Sequence, residues 1–112
     1  MFSPEELFTW GWDGKGKKVL KLLARSGVCE VLFKLETEPR KFSQLMFDVK
    51  INPGVLSRNL KTLVELGVVS KNDQEMYELT EYGRELVSIL RQLFRVGDYS
   101  KLRIQTTLND LT

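Results

Sequence analysis

Asn52 followed by Pro53 restricts the fold of this chain more tightly than any other pair of residues. An asparagine side chain can accept a hydrogen bond from an unpartnered amide in a helix's first turn. Proline one step on already has the helical φ and lacks the N–H that would be left over. A helix is therefore predicted to begin here. Leu56, Leu60, Leu63 and, less squarely, Val64 recur on one side of it, with Gly54, Ser57, Arg58, Lys61, Thr62 and Glu65 outside or on the flanks. Gly67 suits the left-handed position that ends a helix, so the element runs from about Pro53 to Leu66.

Shorter helices are predicted ahead of it. Val19, Leu22 and Leu23 share a face between Lys17 and Arg25, and Ser26-Gly27 provides a stop. Val28, Val31, Leu32 and Leu35 mark a second helix from about Val28 to Glu36, which ends before Pro39 because the residue ahead of proline avoids the helical region. Phe42 starts a third with Leu45 and Met46 inward, and Asp48 to Ile51 form the turn that joins it to the capped helix. Downstream, Val68 to Lys71 and Met76 to Leu79 are β-prone runs around the polar Asn72-Asp73-Gln74-Glu75, which reads as a hairpin. Thr80 caps a long helix carrying Tyr82, Leu86, Val87, Ile89, Leu90, Leu93, Phe94 and Val96 to Gly97. That stripe is too wide for one surface, and its second face most simply meets another chain. In the tail from Tyr99, Ile104, Leu108 and Leu111 have helical spacing, a weak signal for a further helix.

With 112 residues, 42% of them hydrophobic, the chain supports one core and not two. The expected organisation is an arm over 1–16, a domain over 17–97 and a tail or short helix over 98–112. No apolar run approaches the roughly 18 to 20 residues that span a bilayer, so no membrane partner and a cytoplasmic location are expected. Cys29 is the single cysteine and histidine is missing, which rules out an internal disulfide and a Cys/His zinc site. No metal and no cofactor are expected. Gly14-Lys15-Gly16-Lys17 lacks the spacing of a phosphate-binding loop, and without a nucleophile and base to pair, an enzyme is not expected.

The distribution of charge says more than its sum of +2. Lys15, Lys17, Lys18, Lys21 and Arg25 occur with no acid among them. Arg40, Lys41, Lys50, Arg58, Lys61 and Lys71 face only Asp48 and Glu65, whereas acids outnumber bases from Asp73 onward. Positive charge thus gathers in the first two-thirds of the chain, as a side facing a polyanion requires; ordinary solvated surface is the alternative reading.

The order helix, helix, short helix, turn, capped helix, hairpin, helix lets one helix project from a three-helix core beside a β-ribbon. A helix so presented fits a DNA major groove about 12 Å wide, with its N-terminal half against base edges. Three segments carry a resemblance. Arg40-Lys41-Phe42-Ser43-Gln44-Leu45, Ile51-Asn52-Pro53-Gly54-Val55-Leu56-Ser57-Arg58-Asn59-Leu60-Lys61 and Tyr77-Glu78-Leu79-Thr80-Glu81-Tyr82-Gly83-Arg84-Glu85-Leu86 are similar to winged helix-turn-helix regulators of the HxlR type, within the wider MarR-like group. The match runs from about Val28 to Gly97. It implies a mainly α fold with a small β-hairpin (α+β), a homodimer held by terminal helices, and double-stranded DNA as partner.

By the same resemblance, Gly54, Val55, Ser57, Arg58 and Lys61 lie nearest DNA. Arg58 can bond a guanine edge bidentately or clamp a phosphate, and Lys61 suits a phosphate as a point charge; both could instead be solubilising charges. Ser43 and Gln44 open the supporting helix, where either DNA contact or a plain helix cap is open. Arg40, Lys41 and Lys71 complete the expected DNA-facing set. The hairpin is shorter than the family's usual wing, and Asp73 and Glu75 at its tip would repel phosphates if aimed at them. The family's redox members carry a reactive cysteine near the chain start, but Cys29 lies within a helix among apolar residues and is expected to be a packed side chain. Phe8, Trp10 and Trp12, with Leu86, Leu90, Leu93 and Phe94, are expected at the dimer interface, the alternative for the aromatic opening being its own core. A small-molecule effector site between these elements stays open, with no ligand named. The competing function is a winged-helix module that binds protein and not DNA.

Overall fold

The computed structural model describes residues 14–98. Helix α1 (Lys15–Leu23) starts at Lys15 and not Lys17, and buries Val19 and Leu22. Gly27 turns the chain with φ +84°, and a β-carbon there would lie 2.5 Å from Ile51 Cδ1, so the turn needs glycine for both conformation and space. Helix α2 (Val28–Thr37) buries Val28, Val31, Leu32 and Leu35, and Glu38 turns extended ahead of Pro39. Helix α3 (Phe42–Val49) is two residues longer than expected, taking in Asp48 and Val49 from the predicted turn. It closes on Lys50 in the left-handed region, with Leu45 buried and Met46 half-buried.

Helix α4 (Pro53–Glu65) has the expected ends. The Asn52 side-chain oxygen accepts from the amides of Gly54 (2.8 Å) and Val55 (3.3 Å). At the other end the Gly67 amide donates to Val64 and the Val68 amide to Leu63, the two bonds of a Schellman closure around a glycine with φ +76°. Strands β1 (Val69–Lys71) and β2 (Tyr77–Leu79) pair antiparallel with Val69 opposite Leu79 and Lys71 opposite Tyr77. Asn72 builds the tip: its side-chain oxygen accepts from the Gln74 and Met76 amides, and Glu75 takes the left-handed conformation common in three-residue hairpin loops. On the far side of β2, Arg40 and Tyr77 exchange two backbone hydrogen bonds of 2.9 and 2.7 Å. This isolated bridge ties the hairpin to the α2–α3 connection.

Helix α5 (Glu81–Gly97) is capped by the Thr80 hydroxyl, which accepts from the Gly83 amide at 3.0 Å while its proton lies near the Gly67 and Val68 carbonyls. One residue thus caps α5 and clips it to the start of the hairpin. Gly83 allows the closeness, since a β-carbon there would sit 2.1 Å from the Val68 carbonyl oxygen. All five helices and the hairpin contribute to one apolar core that includes Leu22, Leu32, Leu45, Leu60, Val69 and Val87. The architecture is the expected helix-turn-helix, α3 and α4, flanked by a β-hairpin wing. No helix of the described residues is long and apolar enough to cross a membrane.

Phe8, Trp10 and Trp12, and the weak helix signal at Ile104 to Leu111, lie outside the described residues. Leu90 requires a correction. Expected at a dimer interface, it is only 4% exposed and belongs to the core of its own subunit, because it shares the face of α5 that carries Gly83 and Val87. Leu86 is half-buried against the same core. Ile89, Leu93 and Val96 lie on a different side of α5 and are 56 to 60% exposed, while Phe94 is partly covered by Phe33, their ring centroids 5.7 Å apart.

Candidate nucleic-acid interface

Helix α4 is two-sided in charge and burial. Leu56, Leu60 and Leu63 enter the core on one side, and Gly54, Ser57, Arg58, Lys61 and Glu65 are exposed on the other. Among the described residues, no hydrogen-bond or ion-pair partner engages the charged groups of Arg58 and Lys61. Val55 is half-buried on a flank. At Gly54 a β-carbon would lie 3.2 Å from the Asn52 cap oxygen, so the first turn keeps a low profile there.

Sequence reasoning missed Asn59. It is 3% exposed, and its side-chain amide donates to the Ser26 carbonyl at 3.2 Å, which anchors the buried side of α4 to the α1–α2 turn. The signal was present, since Asn59 stands at the helical spacing of Leu56, Leu60 and Leu63 and is the polar member of that stripe.

Arg40 is the second correction. Its guanidinium donates to the Lys34 carbonyl, to Asp48 Oδ2 and to Thr37 Oγ1, each at 3.2 Å, and lies 3.6 Å from Glu38. A phosphate would have to displace these partners, so Arg40 braces the junction of α2, α3 and the wing and does not present a free charge. Gln44 is likewise engaged within the fold. Its side-chain oxygen accepts from the Lys41 amide at 2.8 Å, capping α3 in place of Ser43, which stays exposed. Lys41 and Lys71 are exposed and border one cleft with Ser43, Gln74, Glu75 and Tyr77. The Lys71 ammonium lies 5.5 Å from the centre of the Tyr77 ring, a cation–π contact that keeps it beside β2.

Cys29 packs as expected. Its thiol lies 3.3 Å from the Leu23 carbonyl oxygen, and burial first, then the charge of Glu30, pushes its pKa above the ordinary value. That environment suppresses the thiolate.

Residues 25–71 match the family model described as bacterial regulatory protein, arsR family. No curated protein matches the chain by sequence. The fold is shared with solved structures. Quinone-bound YodB from B. subtilis superposes with a TM-score of 0.70 at 22% identity, over 76% of this chain and 97% of that one. The reduced form of the transcriptional regulator YodB from B. subtilis gives 0.67 at 19% identity, over 88% and 93%. A MarR transcriptional regulator from Methanosarcina mazei Go1 gives 0.62 at 23% identity, over 96% and 87%. The chain therefore has the winged-helix fold of these regulators.

Proposed function

We propose that the protein is a cytoplasmic transcriptional regulator of the HxlR kind that binds duplex DNA as a homodimer, with the N-terminal half of α4 in the major groove. The observation that carries the reading is the outward face of α4: Gly54, Ser57, Arg58 and Lys61 are exposed on a helix whose opposite side is fixed in the core by three leucines and Asn59. A helix so anchored can hold a base-reading side chain in register without reordering on binding. The match of residues 25–71 to a family of bacterial regulatory proteins supports the same reading. In it, Arg58 reads a base edge, Lys61 and Lys71 meet phosphates, and Ser43 and Lys41 approach the backbone from the start of α3. The exposed side of α5, with Ile89, Leu93 and Val96, supports pairing of two subunits.

Selection of bound duplexes from a random pool, followed by titration at several salt concentrations, tests this. Arg58→Ala is expected to cost about 1 to 3 kcal/mol and to relax preference at one position, while Lys61→Ala weakens all duplexes alike and flattens the salt slope by about one unit per bound subunit. Failure to enrich any sequence, with no salt dependence of binding, would instead favour the protein-binding module that the acidic wing tip, Asp73 and Glu75, also suits.

A further inference from the structure

Resting on the reading of α4 as the groove-facing helix, we infer that Arg25, just past the end of α1, is a DNA phosphate contact that brackets α4 from the side opposite Lys71. Two open clefts run along α4, one on each flank. The first, of about 360 Å³, is bounded by Arg25, Ser26, Val55, Arg58 and Asn59. The second, of about 330 Å³, has Ser57, Lys61, Glu65, Lys71 and Tyr77 among its walls. Each carries two cations, one from α4 and one from the neighbouring element: Arg58 with Arg25, and Lys61 with Lys71. Glu65 borders the second cleft, whereas no carboxylate among the described residues borders the first, which makes the Arg25 side the more strongly cationic of the two.

A helix lying in a major groove has a phosphate strand on either side, and a ridge between two cationic clefts matches that pair of rails. The position of Arg25 is also set by α4. Its Nη1 donates to Thr62 Oγ1 at 3.4 Å, and the Thr62 hydroxyl donates to the Arg58 carbonyl at 3.1 Å. One residue along, the Ser26 carbonyl is held by Asn59. The loop bearing Arg25 is thus tied to α4 at two points, so the guanidinium travels with the recognition helix. The bond to Thr62 uses one of five N–H donors and leaves the rest of the fork for two oxygens of a phosphate.

The test measures binding of the full chain to a selected duplex and to a scrambled one across salt concentrations, for wild type, Arg25→Gln, Arg25→Lys, Thr62→Val and Arg58→Ala, with urea unfolding of each. Arg25→Gln is expected to weaken both duplexes roughly tenfold near 0.1 M salt and to flatten the slope by about one unit per bound subunit, while Arg25→Lys keeps the slope. Thr62→Val is expected to lower affinity with the slope retained, since the charge stays and only its orientation is lost. An Arg25→Gln protein with wild-type affinity and slope overturns the assignment, and loss of binding by Arg58→Ala in the same series leaves the DNA reading standing. Wild-type protein that binds neither duplex at about 50 mM salt overturns both.

Discussion

The Asn59 amide donates to the Ser26 carbonyl at 3.2 Å across the seam between α4 and the α1–α2 turn, and Asn59 is the one polar residue buried among those described. The contact anchors the buried side of α4 to the α1–α2 turn. Asn59→Ala is expected to lose about 1 to 3 kcal/mol in urea unfolding, from the hydrogen bond and the packing together. Asn59→Asp should be worse, since a carboxylate would face a carbonyl oxygen in a dry site. A loss below about 0.5 kcal/mol for both would mean that the seam is wet or differently packed.

Gly83 supports a second prediction. Its missing side chain lets the first turn of α5 lie on the Val68 carbonyl, at a place where a β-carbon would stand 2.1 Å from oxygen. Gly83→Ala must therefore push α5 off the hairpin despite the better helix propensity of alanine. Destabilisation of about 1 to 3 kcal/mol is expected, together with weaker protection of the β1 and β2 amides from hydrogen exchange. A stabilised Gly83→Ala protein would contradict this packing.

The two leucines at positions 90 and 93 separate subunit folding from subunit pairing. Leu90 is buried in its own subunit, so Leu90→Asp should lose about 3 to 5 kcal/mol or fail to fold. Leu93 is 56% exposed in the single chain, so under the proposed pairing through α5 the wild type should sediment as a dimer, and Leu93→Asp should keep native circular dichroism and sediment as a monomer. Wild-type protein that is monomeric at micromolar concentration would remove α5 as an interface.

Glu36 and Arg91 join α2 to α5 through a two-pronged ion pair, with Arg91 also over the Phe33 ring at 5.1 Å. Hydrogen bonding from Arg91 is the main cause that holds the Glu36 carboxyl below its ordinary value of 4.5; the charges of Arg91 and Arg84 assist, and burial opposes. A carboxylate with a lowered value in the folded state stabilises the fold fully above its unfolded value, and that contribution is lost as pH falls through the lowered one. Because the pair is at the surface, the effect on stability is small, and the sensitive measurement is an NMR titration of Glu36. Arg91→Met should return its midpoint to the ordinary range. A midpoint that does not move would show that the pair does not form in solution.

Cys29 should remain a thiol at neutral pH. Burial and Glu30 raise its pKa from 9.0, so alkylation of the folded protein at pH 7 should be much slower than that of the urea-unfolded chain. Equal rates in the two states would mean that the site opens readily.

Much of the fold was legible because helix ends are local chemistry. The Asn52 and Thr80 side chains cap amides within a few residues of themselves and Gly67 lets α4 close on carbonyls just behind it, so α4 and α5 begin, and α4 ends, close to where those residues indicate. The exposed side of α4 was legible for the same reason, since a period of 3.6 residues sorts Ser57, Arg58 and Lys61 away from Leu56, Leu60 and Leu63. Arg40 was not. As a sequence feature it is one cation in a basic segment; in the structure Asp48, Thr37 and the Lys34 carbonyl surround it.

The amino-acid sequence alone determined which segments are helical, where α4 and α5 start, and that a capped helix with a cationic outer side follows a turn, because those properties depend on neighbours within a turn or two. Tertiary structure alone decided that Leu90 turns inward while Leu93 does not, that Asn59 finds its partner in the Ser26 carbonyl, and that Arg25 lies beside Arg58. Each of these depends on which group comes to lie across a contact distant in sequence or on another face of the core, and such pairing follows from the closing of the whole chain around its apolar residues.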